Sequence, residues 1–321
     1  MAGCKNDVSS FIPKSQGLVF TAGYNDEQCI VSGDFTNGYD GIEIELPRYS
    51  PDGQRVTQTD IFSGSIKSIK FSDTIKNAYM QNSSMEYVDL YDSQCKTFLF
   101  AGCERLKAVR FPSKMTSIPQ NAFEKCTAME SIVIPVNVTE IGKNAFEGCT
   151  SLKKMKFPEN ISTIDDGAFK DCSSLSSITF SSYVAINESA FENCTSLKKV
   201  NLSQGTRISD KAFMGCTSLE KVHVNTLGGI GEGSFRNCEN LSLITLEYGV
   251  TSIGDYSFYD TDFETIFIPN SVEYVGVNAF MSKNKNAVIC FEGRKSKIKF
   301  AKGWNPDELT VRWNVKRSEL I

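Results

Sequence analysis

The chain has very little histidine, little tryptophan and no excess of positive charge. Among 321 residues there is one histidine, His223, and two tryptophans, Trp304 and Trp313. A single histidine excludes HExxH and every multi-histidine metal site. Any Ser-His-Asp or Cys-His arrangement would have to use His223 itself. That residue lies in KVHV between two valines, so it reads as an exposed polar position on a strand. No apolar run approaches the roughly 18–20 residues of a membrane span, so no transmembrane segment is expected. Lys+Arg number 34 against 38 Asp+Glu, a net charge of −4. Phosphate neutralisation needs a basic surplus, so no nucleic-acid partner is expected. Gly228–Gly233 (GGIGEG) is rich in glycine but departs from GxGxxG, and it reads as a loop turn. Carboxylate pairs such as Asp165-Asp166 read as solvated loop residues. With no P-loop and no metal motif, the expectation is a non-enzymatic protein without a cofactor.

What the chain has instead is a repeat. LFAGC, AFEKC, AFEGC, AFKDC, AFENC, AFMGC and SFRNC recur, with the aromatic at Phe100, Phe123, Phe146, Phe169, Phe191, Phe213 and Phe235. The phase continues without the cysteine at Phe258 and Phe280, and a degenerate copy sits at Ala78-Tyr79. Successive spacings from Phe100 are 23, 23, 23, 22, 22, 22, 23 and 22. Six residues after the Phe stands Leu or Met, as in Leu152 and Leu175. Nine after stands an apolar residue, as in Ile132 and Ile178, and eleven after another, as in Phe157 and Phe180. Five before each Phe from Phe123 onward stands Ile or Val, as in Ile141 and Ile164.

Each copy therefore reads LxxIxF, often Pro, then VTxIG, then xxAFxxC. The IxF alternation has period two and predicts a short strand with one buried face. Pro112, Pro135, Pro158 and Pro269 end that strand, because proline cannot donate to a ladder. The xxAFxxC piece is expected to be a helical turn. No copy is large enough to bury its own apolar face, so the copies must stack. The Phe residues then form a column at one strand spacing, about 4.8 Å.

These residues resemble the BspA-like branch of the leucine-rich repeat proteins. Leu152–Cys172 (LKKMKFPENISTIDDGAFKDC) and Met129–Cys149 (MESIVIPVNVTEIGKNAFEGC) carry the resemblance most clearly, and it extends over residues 47–282. It implies a right-handed α/β-type leucine-rich repeat horseshoe. A parallel β-sheet would line the concave side, with short helical turns and irregular strands on the convex side. It also implies a cell-surface or secreted protein, adhesin-like, since the family is linked to adhesion and host-protein binding.

Three regions are expected: an N-terminal β-hairpin cap over 1–46, a solenoid of about ten to eleven coils over 47–282, and a C-terminal cap over 283–321. Residues 17–34 hold two apolar runs around a polar stretch, which reads as the hairpin. The two tryptophans either cover the last coil or form an aromatic sugar platform. Seven of eleven cysteines, Cys103, Cys126, Cys149, Cys172, Cys194, Cys216 and Cys238, share one repeat position. Their stacked Cβ vectors would run parallel, too far apart for disulfides, so reduced and buried thiols are expected. Ala2-Gly3-Cys4 matches the tail of a bacterial lipobox, which would put a lipid anchor on Cys4. No basic or apolar leader precedes it, so either the chain is a mature product or the match is chance.

The strand positions seven, eight and ten after the Phe point outward and build a repetitive surface. Lys67, Lys70, Lys107, Arg110, Lys153, Lys154, Lys156, Lys198, Lys199 and Lys221 fall there, against Glu86, Asp89, Glu130, Glu220 and Glu264. A protein of net charge −4 is thus expected to carry a basic concave face. The candidate partner-binding residues are Lys107, Arg110, Lys153, Lys154, Lys156, Lys198, Lys199, Lys221 and His223. The expected partner is an extracellular protein or an acidic glycan. The competing expectation is a spacer domain with no specific concave ligand.

Overall fold

The structure is a computed structural model that describes residues 18–22, 28–35, 42–64, 66–80, 84–305 and 307–319. Cys4 and the loop of the N-terminal hairpin lie outside the described residues. The chain winds as a parallel β-solenoid of about 12 turns. One side, here the front sheet, is built by the IxF strands, from Ile42–Glu45 through Lys154–Lys156 to Thr310–Trp313. It runs as segments of four, two and seven hydrogen-bonded strands. The return sheet has nine strands, from Ser117–Ile118 to Lys299–Phe300. Neighbouring coils pair in parallel and in phase, for example Ile132 with Met155, and Ile141 with Ile164. Strands at both ends lie outside the phased copies and lengthen the column beyond the ten to eleven coils expected.

Local sequence explains each corner. The prolines that follow the front strands accept a hydrogen bond three residues on. Val138 N–H donates to Pro135 O at 3.0 Å and Ile161 N–H to Pro158 O at 3.2 Å, which closes a turn into the return strand. The AFxxC segment is not helical. Among the described residues the helical pieces are two 3₁₀ turns, Lys295–Lys297 and Arg317–Glu319. The reason lies in the backbone. The residue two before the Phe is left-handed, as at Asn121, Asn144, Ser189 and Lys211, and so is the residue two after it, as at Lys125, Asp171 and Asn193. Two left-handed residues inside one short segment forbid a right-handed helix, and Asn, Asp or Gly tolerate that geometry best. The segment instead forms hydrogen-bonded turns that ladder from coil to coil. Phe123 N–H donates to Ala145 O, Phe146 to Ala168 and Phe191 to Ala212, each at 2.8 Å.

The core is the Phe column that this ladder aligns. Rings from Phe146 to Phe235 stack at centroid distances of 5.1, 5.2, 5.4 and 5.4 Å, with interplanar angles of 8° or less. Offset stacking at that separation is favourable for aromatic quadrupoles. The cysteine column stands beside it. Cys149 Sγ donates to Phe123 O at 3.1 Å, Cys172 to Phe146 O at 3.1 Å and Cys194 to Phe169 O at 3.2 Å. Each of these carbonyls also accepts the N–H three residues on, as Phe123 O does from Cys126 at 3.1 Å. The thiol thus fills the second lone pair of a buried carbonyl, which a purely apolar residue could not do. No disulfide joins the cysteines from Cys126 to Cys238.

Both ends are covered. At the N-terminal end Leu18–Ala22 pairs antiparallel with Gln28–Phe35, which lies parallel to Arg55–Gly64. At the other end Trp313 stacks on Phe291 at 4.5 Å, and Trp304 packs on Phe300 at 4.6 Å and edge-on to Phe280. The tryptophans therefore close the core, and the sugar-platform alternative is set aside. Gly228–Ile230 is a return strand, not a loop turn.

Two outcomes follow from this core. Phe169→Ala should destabilise by about 3–5 kcal/mol in denaturant unfolding, since it removes a ring stacked on both sides. A loss below about 1 kcal/mol would show that the column is not the core. Burial pushes the Cys149 thiol up to about 12 and the Cys95 thiol up to about 11, and raises Cys172 and Cys194 well above the ordinary range. Above the unfolded thiol value of about 8.5, the unfolded chain releases protons that the folded chain keeps. Stability should therefore fall as pH rises from about 8.5 towards 12, by roughly 1.4 kcal/mol per pH unit for each buried thiol. Unfolding free energies of the parent and of Cys149→Ala, measured across that window, should differ in slope by one proton. Equal slopes would contradict the burial account.

Candidate functional site

All nine candidate residues are exposed along the front sheet: Arg110, Lys154, Lys156, Lys199, Lys221 and His223 lie on its strands, and Lys107, Lys153 and Lys198 lie just before them. Its strands show exposed, half-buried, exposed at Lys154–Lys156 and exposed, buried, exposed at Lys199–Asn201. His223 is exposed as well, between buried Val222 and Val224.

The nine do not form one uniform basic surface. Lys107 pairs with Glu86 at 3.0 Å, Arg110 with Asp89 at 3.4 Å and Lys153 with Glu130 at 3.0 Å, each across one coil. Arg110 also lies 3.9 Å from the Tyr91 ring centroid. His223 Nε2 stands 3.5 Å from Glu247 Oε1, and Glu247 is held by Arg317 at 2.9 Å. Lys154, Lys156, Lys198, Lys199 and Lys221 have no carboxylate within ion-pairing distance among the described residues. Of the nine, the unpaired ones therefore reduce to these five lysines, four on strands Lys154–Lys156, Lys199–Asn201 and Lys221–Val224 and Lys198 just before the second. Ser177–Thr179 lies between the first two, while Lys199 and Lys221 sit directly opposite each other on adjacent strands. From Lys154 to Lys221 is three strand spacings, about 15 Å, which is under two Debye lengths at physiological salt. Their fields add.

Two features at the margins escape the sequence pattern. Val133, opposite Lys156, is 84% exposed and Val136 is 76% exposed, which sets an apolar step beside the lysines. Arg317 folds back some 70 residues to the front sheet. It bonds Glu247 and the Leu246 carbonyl and lies over the Phe267 and Tyr248 rings at 5.2 and 5.5 Å. That contact pins the C-terminal segment back across the Leu243–Leu246 and Thr265–Ile268 strands. The ion pairs, by contrast, had a signal. Glu86, Lys107, Glu130 and Lys153 alternate in sign along one column, so each meets an opposite charge one coil away.

Like charges opposite one another on adjacent strands are destabilising. Lys199→Ser should therefore raise stability by a few tenths of a kcal/mol at low salt, and the gain should shrink as salt screens the pair. A loss of stability, or a gain independent of salt, would contradict the unpaired assignment.

The BspA type leucine rich repeat region matches this sequence in six copies, over residues 49–128, 93–220 and 206–300. No curated protein matches the chain. Solved structures that resemble it include the leucine-rich repeat protein of T. pallidum, at 23% identity with a TM-score of 0.40, covering 71% of this chain and 89% of that one. A leucine-rich repeat protein of Bacteroides ovatus is 17% identical with a TM-score of 0.40, covering 96% and 100%. The pneumococcal vaccine antigen PcpA is 16% identical with a TM-score of 0.47, covering 95% and 87%. No helix among the described residues is long and apolar enough to cross a membrane. With its repeat matched over most of its length, the chain belongs to the BspA-type leucine-rich repeat family.

Proposed function

We propose that the chain is a cell-surface or secreted binding module, adhesin-like, that engages an extracellular protein or an acidic glycan through the lysine patch of its front sheet. The observation that carries this is the cluster of five lysines without acidic partners, on a sheet where Lys70, Lys107, Arg110, Lys153 and His223 each face a carboxylate. Holding Lys199 opposite Lys221 costs stability that a spacer would have no reason to bear. Solenoids present such extended repetitive surfaces to partners, and an anionic partner would gain steering and specificity from the summed field. Lys107, Arg110, Lys153 and His223, being paired, serve as the rim. Surface display accords with the family resemblance, and a lipid anchor at Cys4 would provide it. The spacer reading draws on the paired columns alone.

Replacing Lys154, Lys156, Lys199 and Lys221 together with Glu should abolish binding to immobilised heparan sulfate or to acidic extracellular-matrix proteins, and leave thermal unfolding intact. The same change at Lys114, Lys295, Lys297 and Lys302, which lie off this sheet, should not. A single Lys→Ala change should be nearly silent. If the front-sheet quadruple variant binds as well as the parent at low salt, the site lies elsewhere. If the parent binds none of these ligands, the spacer reading takes its place.

A further inference from the structure

We propose a second binding site, for a neutral oligosaccharide, in the groove that crosses the return sheet at Gly228 and Gly229. It lies on a different face from the lysine patch and does not depend on it. The return sheet is elsewhere regular, with Thr163, Ala185 and Arg207 on successive strands filling the outward position. At the next strand that position falls to Gly229, and the pairing with Val250–Ile253 slips between Gly228 and Gly229. The slip, and the open space at Gly228 where a Cβ would meet nothing within 4 Å, leave a groove of about 720 Å³, within the size range of small-molecule sites, while the Ser252 hydroxyl stands over Gly229.

The margins of the groove differ in chemistry. On one side stand Tyr183 and Leu227, 53% and 72% exposed. They lean towards each other over Gly205: a Cβ there would lie 3.5 Å from Tyr183 Cδ2 and 3.8 Å from Leu227 Cδ1. On the other side stand the carboxylates of Asp166, Glu188 and Asp210, with Arg207 also lining the groove. Each carboxylate is oriented by one partner. Asp166 lies 3.7 Å from Lys143 Nζ, Glu188 3.1 Å from Lys211 Nζ, and Asp210 accepts the Glu232 N–H at 2.8 Å. Each keeps further lone pairs for a ligand, since a carboxylate offers about four acceptor sites. Arg207 forms no ion pair among the described residues.

Charge and polarity then select the ligand. The three carboxylates are balanced by Lys143, Lys211 and Arg207, so the groove has no net charge to attract a simple ion of either sign. An apolar ligand would strip water from the carboxylates and return no hydrogen bonds. A sugar answers every group: its hydroxyls donate to Asp166, Glu188 and Asp210 and accept from Arg207, and its C–H face packs on Tyr183. The open floor at Gly228 gives the ring room to approach the backbone, and the Ser252 hydroxyl beside Gly229 offers one further polar contact.

The test is titration calorimetry and saturation-transfer NMR of the full chain with maltohexaose, cellohexaose, mannohexaose and N-acetylchitohexaose. At least one should bind. Tyr183→Ala should weaken it by about tenfold or more, as loss of an aromatic anchor does. Gly228→Val should do the same by filling the floor, and it should fold normally, because a Cβ at Gly228 meets nothing within 4 Å. Binding should change by less than about twofold between roughly 50 and 500 mM salt, unlike binding to charged lysines. The fourfold Lys→Glu variant of the front sheet should bind the sugar like the parent, so the two sites fail or stand separately. If none of the four sugars binds the parent, or if binding survives both groove substitutions, the proposal is overturned.

Discussion

The phenylalanine amide of each coil donates to the alanine or serine carbonyl of the next, and that bond sets the spacing of everything else. It places successive rings little more than 5 Å apart and nearly parallel. It also lines up each cysteine thiol beneath the Phe carbonyl of the preceding coil. Because the corner is a turn flanked by left-handed residues, its backbone groups point along the solenoid axis, where only another coil can satisfy them. A helix would have met those groups internally and left the coils joined at this corner by side chains alone, with backbone pairing only in the two sheets. The corner thus supplies cohesion as well as a change of direction, and an isolated copy lacks both its core and its hydrogen-bond partners.

The same repetition governs the surface. Any outward position stands one strand spacing from its own equivalent, so charges must be read along columns. Where signs alternate, as from Glu86 to Lys153, the column neutralises itself. Where lysine meets serine or another lysine, as from Lys154 to Lys221, the field survives. The groove on the return sheet arises in the same manner, from glycine at an outward position that neighbouring coils fill with Arg207 and Ser252. Both candidate sites are places where the repeat departs from itself.

Fold and phase were legible because each copy repeats the buried positions. Strand, proline turn, return strand and thiol column all followed from residues such as Ile132, Pro135, Ile141 and Cys149. The helical turn was a misreading. AFxxC is short and apolar enough for a helix, and the left-handed residues beside it include Lys125, Ser189 and Lys211, which carry no turn signature. At the candidate site the outward columns were legible, but a charge sum over the whole face hides the pairing of Lys107, Arg110 and Lys153. The Arg317 contact with Glu247 joins residues 70 apart with no shared repeat position, so no periodic argument could reach it. The groove was hidden in GGIGEG, whose glycines read as turn when they mark an emptied strand.

Native-state hydrogen exchange at the phenylalanine amides tests the central claim most directly. If the coil-to-coil ladder at this corner holds the solenoid together, the amides of Phe146, Phe169, Phe191 and Phe213 should be among the last to exchange. They should do so together, at the free energy of global unfolding. Fast exchange at these four amides, with slow exchange confined to the front and return strands, would show that the corners are ordinary loops and would contradict the account.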